Sequence, residues 1–304
     1  MDLRLPTKTE PCYKWIVITL SLVTFILFCV TLFFNLIGNT TANNGLFIND
    51  IGAVSDEFAL DITPADFTFI IWGLIYIWQA AWIIYVLTSL CRRNQYGAVF
   101  TNPPIVTPFF LMSYCLNLWL NIMWLFLFDR KLIVWSFICI FLMYFTLEFP
   151  ALMSHHVAVH KYGKQLKKDH KADRFAIRIL IQNGLVLYRT WLVLATTLNV
   201  CIVLTYERDI IRSTSSTIGL AIVAVFVILD FVVSTTIWDK YQRYTFSNWG
   251  VYIWALIGIL VGNWDANNRN SIITLVLLFV CIILLAVKIP LTVWRHRNKP
   301  LYAV

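Results

Sequence analysis

The chain has 304 residues, of which 60% are hydrophobic and 13% charged. Water-soluble domains run nearer about 45–50% apolar and about 25% charged, so both a single soluble fold and a disordered chain are excluded and a polytopic membrane protein remains. The net charge of +8 does not point to nucleic acid, because the Lys and Arg collect in one alternating set of loops, as membrane insertion requires.

Eight apolar segments follow one another at residues 15–37, 64–90, 106–128, 132–153, 177–206, 217–238, 244–263 and 271–294. Each is predicted to be a helix, because a chain in lipid must satisfy its own backbone hydrogen bonds. Porin-like alternation is absent from these runs. The expected fold is an all-α, polytopic transmembrane bundle, one membrane domain over residues 1–304. The first run is too long for a cleaved signal peptide and reads as a retained span. The seventh has the shortest strictly apolar core.

Charge sets the expected orientation. Arg4, Lys8, Lys14, Arg92, Arg93, Lys240, Arg243, Arg295, Arg297, Lys299 and a cluster from Lys161 to Arg178 fall on one side. Only Arg130, Lys131, Arg208, Arg212 and Arg269 fall on the other. Both termini are therefore expected in the cytoplasm. The loop at 38–63 is the longest on the opposite side, has no Lys or Arg, and carries Asp50, Asp56, Glu57 and Asp61. It reads either as a lid over a cavity or as a slack connector. It opens with a glycosylation sequon, Asn39-Thr40-Thr41, very near the membrane.

The loop between spans four and five holds His155, His156, His160 and His170 among its lysines. It reads as a topology determinant, with anionic lipid as the alternative partner. The scattered cysteines form no CxxC, and neither a disulfide framework nor a metal site is expected.

Polar and aromatic residues recur every three or four positions. Span three carries Tyr114, Asn117, Asn121, Trp124 and Phe128; span five carries Tyr188, Trp191, Ala195 and Asn199, with Leu198 alongside; span two carries Phe69, Trp72, Tyr76 and Gln79. Such spacing puts each set on one helical face. At 1.5 Å per residue, Trp72, Asn121 and Trp191 fall in the outer half of a core about 30 Å thick, beneath the acidic loop. Amides facing lipid are costly, so these faces should turn inward. They read as interhelical hydrogen-bonded glue or as the wall of an amphipathic pocket. Trp15, Trp82, Trp135, Trp238, Trp249, Trp264 and Trp294 sit at span ends and are expected in the interfacial belts.

Charges within spans need partners. Arg189 lies near mid-membrane, and either Asp230 or Glu148 is the expected partner in a buried pair, structural or part of an ion-coupled pathway. Lys288, near the end of span eight, is expected to snorkel to the interface. No GxSxG, HExxH, P-loop or paired-carboxylate motif occurs, so no catalytic residue is assigned and an enzyme is not the favoured reading.

Three segments carry a family resemblance. Thr63-Pro64-Ala65-Asp66-Phe67-Thr68-Phe69-Ile70-Ile71-Trp72-Gly73-Leu74-Ile75-Tyr76 resembles the second span of the TspO/MBR family, the tryptophan-rich sensory proteins and translocator proteins. Tyr114-x-x-Asn117-x-x-x-Asn121-x-x-Trp124 is similar to its third span, and Tyr188-x-x-Trp191-x-x-x-Ala195-x-x-Leu198-Asn199 to its fifth. Asn117 stands where the family usually has Gln, and Arg189 adds a charge beside the motif. The resemblance covers residues 15–206. Residues 207–304, with Trp254-Ala255-Leu256-Ile257-Gly258, are similar to the longer members that carry three extra C-terminal helices.

The resemblance implies a five-helix pocket closed by the first loop, accepting a tetrapyrrole, a sterol or another flat apolar molecule. Its candidate wall residues are Trp72, Tyr76, Asn117, Asn121, Trp124, Tyr188, Trp191, Ala195 and Asn199. The partners implied are the bilayer, a hydrophobic small molecule and, as one option, a second copy in a homodimer. The resemblance fits binding, sensing or transport of the ligand. The competing reading is a secondary transporter of a small polar solute that uses Arg189 and Asp230, and a third is an enzyme that degrades a bound tetrapyrrole.

Overall fold

The computed structural model describes residues 11–40, 45–94 and 97–301. The sequon's side chains, Arg4 and Lys8 lie outside the described residues. The chain runs through α1 (Pro11–Thr40), the short α2 (Ile51–Glu57), a 3-10 turn (Asp66–Ile70) and α3 (Ile71–Cys91). There follow α4 (Pro108–Asp129), α5 (Ile133–His156), α6 (Gly163–Asp169), α7 (Lys171–Ala176) and α8 (Gly184–Tyr206). The chain closes with α9 (Arg212–Thr235), α10 (Asp239–Gln242), α11 (Ser247–Asn263) and α12 (Arg269–Asn298). Strand among the described residues is confined to Arg93–Asn94 paired with Gly97–Ala98.

The fold is an all-α membrane bundle. Among the described residues, seven helices are long and apolar enough to cross a bilayer. The segment at 244–263 becomes α11, whose 17 residues span about 25 Å, somewhat less than a full hydrocarbon core. Its burial compensates for its length: Trp249, Tyr252, Ala255 and Leu256 are all enclosed by protein. Within the bundle α4 packs between α1 and α5, α5 lies against α8, α9 and α11 pack on α8, and α12 lies against α9 and α11. Helix starts follow the sequence: Thr107 caps α4, accepting from the Phe110 N–H ahead of Pro108, and Asn268 caps α12.

The basic stretch between spans four and five is not an open loop. The helix of α5 continues through a π turn at Val157–Lys161, and a second π turn at Ile177–Asn183 joins α7 to α8. The fifth span is therefore one 36-residue helical stretch, Lys171–Tyr206. A π turn displaces carbonyls from their usual partners, and side chains take them up. Trp78 Nε1 donates to the Ile179 carbonyl at 2.9 Å, and Asn183 Nδ2 to that of Arg178 at 2.8 Å. Irregular backbone at membrane depth survives only where protein satisfies it in this way.

Three expectations are corrected by packing. Trp82 and Trp249 are not belt residues; both are fully buried. Trp82 donates to Gln79 Oε1 at 2.7 Å, so the amide replaces the headgroup as its partner. Lys288 does not snorkel. Its ammonium is enclosed and donates to the Thr245 carbonyl at 2.7 Å and to Ser234 Oγ at 3.1 Å.

The long first loop is fastened rather than slack. Asp129, fully buried at the end of α4, accepts from the Ile48 and Asn49 N–H groups at 2.9 and 2.6 Å. Phe47 stacks on Phe126 with 4.9 Å between ring centroids. Lys131 pairs with Glu57 at 2.6 Å and Arg212 with Asp61 at 3.2 Å. The exposed pairs add little; the buried carboxylate holding two backbone donors adds more. Between these fixings α2 lies across the bundle, its start capped by Asp50.

Candidate functional site

A cavity of about 1010 Å³ opens beneath α2. α3 contributes Trp72, Gly73, Tyr76 and Ile77; α4 contributes Trp124, Leu125 and Phe128; α8 contributes Trp191, Leu194, Ala195 and Asn199. α1 adds Leu32, Asn35 and Leu36, and α2 adds Ile51, Ala53 and Asp56 as a roof. The volume lies at the upper end for small-molecule sites, and the wall is chiefly apolar and aromatic, as such sites generally are. Leu36 and Ile77 line the cavity while lying 64% and 70% exposed, which marks a side opening between α1 and α3.

The aromatic wall is internally ordered. Trp72 stacks on Tyr76 at 5.7 Å and meets both Tyr188 and Trp191 edge-on at 6.0 Å; Trp124 stacks on Phe128 at 5.0 Å. These offset and edge-on pairings are the favoured aromatic geometries, and they hold the rings in place without a ligand. The indole N–H groups of Trp124 and Trp191 are buried and meet no acceptor among the described residues. A buried donor left without an acceptor costs about 1–3 kcal/mol, so a guest with an acceptor near these edges has something to gain.

Of the nine predicted wall residues, the cavity gathers Trp72, Tyr76, Trp124, Trp191, Ala195 and Asn199. Asn121 and Tyr188 lie outside it in a hydrogen-bonded layer. Asn121 Nδ2 donates to the Tyr188 hydroxyl at 3.2 Å, and its Oδ1 accepts from Asn35 Nδ2 at 2.8 Å. Asn117 is turned away to the α4–α5 seam, where its Nδ2 reaches the Met143 carbonyl at 2.8 Å and Thr146 Oγ1 at 3.2 Å. The stripe on α4 thus divides along its length: wall at Trp124, support at Asn121, glue at Asn117. Gln79, further along α3, does the same work as Asn117, donating to the Gly184 carbonyl at 2.9 Å.

Arg189 sits off the cavity wall. It engages both candidate partners: Nη1 is 3.2 Å from Glu148 and Nη2 is 2.9 Å from Asp230. Asp230 also accepts from Asn248 at 3.2 Å and Tyr252 at 3.0 Å, both on α11. One guanidinium therefore joins α5, α8, α9 and α11. No cluster of His, Cys, Asp and Glu among the described residues has a metal-binding arrangement.

Sequence reasoning missed the wall's far side. Gly219, Leu220 and Val223 of α9 and Ala255 and Ile259 of α11 complete the cavity. Nothing in their residue types distinguishes them from ordinary packing positions. Asn35 was findable, since a lone amide in an apolar span calls for an interior partner.

The fold and the cavity define a class: an integral, multi-pass helical membrane protein with an aromatic-walled chamber in the bundle. Residues 21–289 match the family model described as TSPO-like protein, which is most of the chain and includes the C-terminal helices. The chain belongs to the TSPO-like family. No curated protein and no solved structure matches it.

Proposed function

We propose that this protein binds a planar hydrophobic ligand, a tetrapyrrole or a sterol-like molecule, and senses it or passes it on within the membrane. The observation that carries this reading is the roofed cavity of about 1010 Å³ with Trp72, Trp124 and Trp191 on its wall. Flat apolar molecules stack well on such rings. Membership of the TSPO-like family supports the same reading. The charge asymmetry of the loops supports placing both termini in the cytoplasm, with α2 and the cavity roof on the opposite face.

Intrinsic fluorescence tests the binding. Protoporphyrin or a fluorescent sterol, titrated into the purified protein, should quench tryptophan emission saturably, and Trp72→Leu or Trp191→Leu should weaken that quench at least tenfold. If neither ligand alters the emission, the reading is lost. Solute transport through Arg189 and Asp230 has less support, since neither residue lies on the cavity wall. pH-dependent solute uptake that disappears in Asp230→Asn would favour it.

A further inference from the structure

Granting the pocket reading above, the charge of the wall selects among flat apolar ligands. Among the described residues, three carboxylates, Asp50, Asp56 and Asp66, lie on the wall, and no Lys, Arg or His does. Three basic side chains of that face are committed elsewhere: Arg130 to Asp129, Lys131 to Glu57 and Arg212 to Asp61. Asp50 is occupied in capping α2, accepting from Gly52 and Ala53. Asp56 and Asp66 are exposed at the mouth, and neither enters a salt bridge among the described residues. Deeper in, Trp191 is 3% exposed with its indole N–H unpartnered, so the groups offered to a guest inside are neutral donors.

A guest whose rings lie among Trp72, Trp124 and Trp191 brings its polar end to the mouth. An anionic end there meets like charge at close range, a repulsion that solvent and salt reduce but do not abolish. A hydroxyl, carbonyl or ammonium end meets no such opposition. The side opening between α1 and α3, at Leu36 and Ile77, suits a molecule already dissolved in the bilayer.

We propose that the cavity takes an uncharged or cationic planar amphiphile and discriminates against carboxylate-bearing ones. Within the tetrapyrrole-or-sterol pair, this selects the sterol-like class and disfavours free dicarboxylic porphyrins.

Matched pairs of probes isolate charge from shape. Protoporphyrin IX and its dimethyl ester share one ring system and differ by two carboxylates. Cholesterol and cholesterol sulfate offer the same contrast on a smaller skeleton. The full-length protein in a neutral detergent is titrated with each, reading tryptophan quenching for the porphyrins and the shift in melting temperature for the sterols. The neutral member should bind at least tenfold more tightly in the pair the cavity accepts. In the double variant Asp56→Asn/Asp66→Asn, the anionic member should gain affinity and the neutral-to-anionic affinity ratio should fall toward one. A gain of binding is not something misfolding produces. The protein's overall charge of +8 biases the comparison against this outcome. If an anionic probe binds as tightly as its neutral counterpart, or the double variant leaves the ratio unchanged, the charge selection is wrong and the pocket reading stands. If no member of either pair binds, the pocket reading falls and takes this inference with it.

Discussion

Arg189 and Tyr188 are neighbours in sequence with opposite duties. Tyr188 meets Trp72 edge-on behind the cavity wall, while Arg189 gathers Glu148 and Asp230. Two carboxylates share one guanidinium, and they are not equivalent. Asp230 also receives Asn248 and Tyr252, whereas Arg189 is the only donor to Glu148 among these bonds. Removing Arg189 leaves both half-buried acids without a cation, a loss of up to about 3–5 kcal/mol. Asp230→Asn keeps a neutral Arg189–Glu148 pair but weakens two bonds to α11. Glu148→Gln leaves the better-bonded pair intact. Thermal unfolding in detergent should therefore rank the variants Arg189→Met, Asp230→Asn, Glu148→Gln from most to least damaged. A Glu148→Gln protein as unstable as Arg189→Met would contradict the division of labour drawn here.

At the scale of elements, α11 holds the start of the second span. The Ala65 N–H donates to the Gly258 carbonyl at 3.0 Å, Trp254 Nε1 to the Thr68 carbonyl at 2.9 Å, and Asn263 Nδ2 to the Thr63 carbonyl at 2.6 Å. This approach requires Gly258, because a Cβ there would lie 2.0 Å from Thr68 Oγ1. Gly250, on the same helix, has nothing within 4 Å of a Cβ. The same substitution should thus act oppositely. Gly258→Ala should lower the melting temperature and loosen the Thr63–Thr68 segment in hydrogen exchange. Gly250→Ala should be neutral or slightly stabilising, by up to about 1 kcal/mol from helix propensity. Equal effects at the two sites would show that α11 does not bear on this segment. The helices themselves were legible in the sequence, since an apolar run of that length in lipid has one backbone solution. Their faces were less so. Trp82 and Trp249 stand at span ends, where belts and buried rings share the same positions, and only packing decides between them. The π turns beside Ala158 and Ile181 carry no residue signature, so a basic stretch that is helical but for breaks at Tyr162 and His170 read as a loop.

Across the whole molecule, the cavity belongs to both halves of the chain. Periodicity placed Trp72, Trp124 and Trp191 together because each lies on an inward face of its own helix. It could not separate Asn117 from them, because a seam and a hollow demand the same inward amide. Nor could it reach α9 and α11, whose contribution is small apolar surface. Those helices are also where the pocket can be tested without touching the motif residues. Val223 lies on the wall from α9 and is 4% exposed. Val223→Phe adds bulk toward an open volume, where overpacking strain of about 1–3 kcal/mol is relieved by the available space. The melting temperature should hold or rise, while ligand-dependent quenching weakens at least tenfold. If quenching is undiminished in a folded Val223→Phe protein, the ligand sits wholly within the first five spans and the C-terminal helices are support alone. Loss of binding with the fold retained would instead assign the C-terminal helices a share of the binding surface.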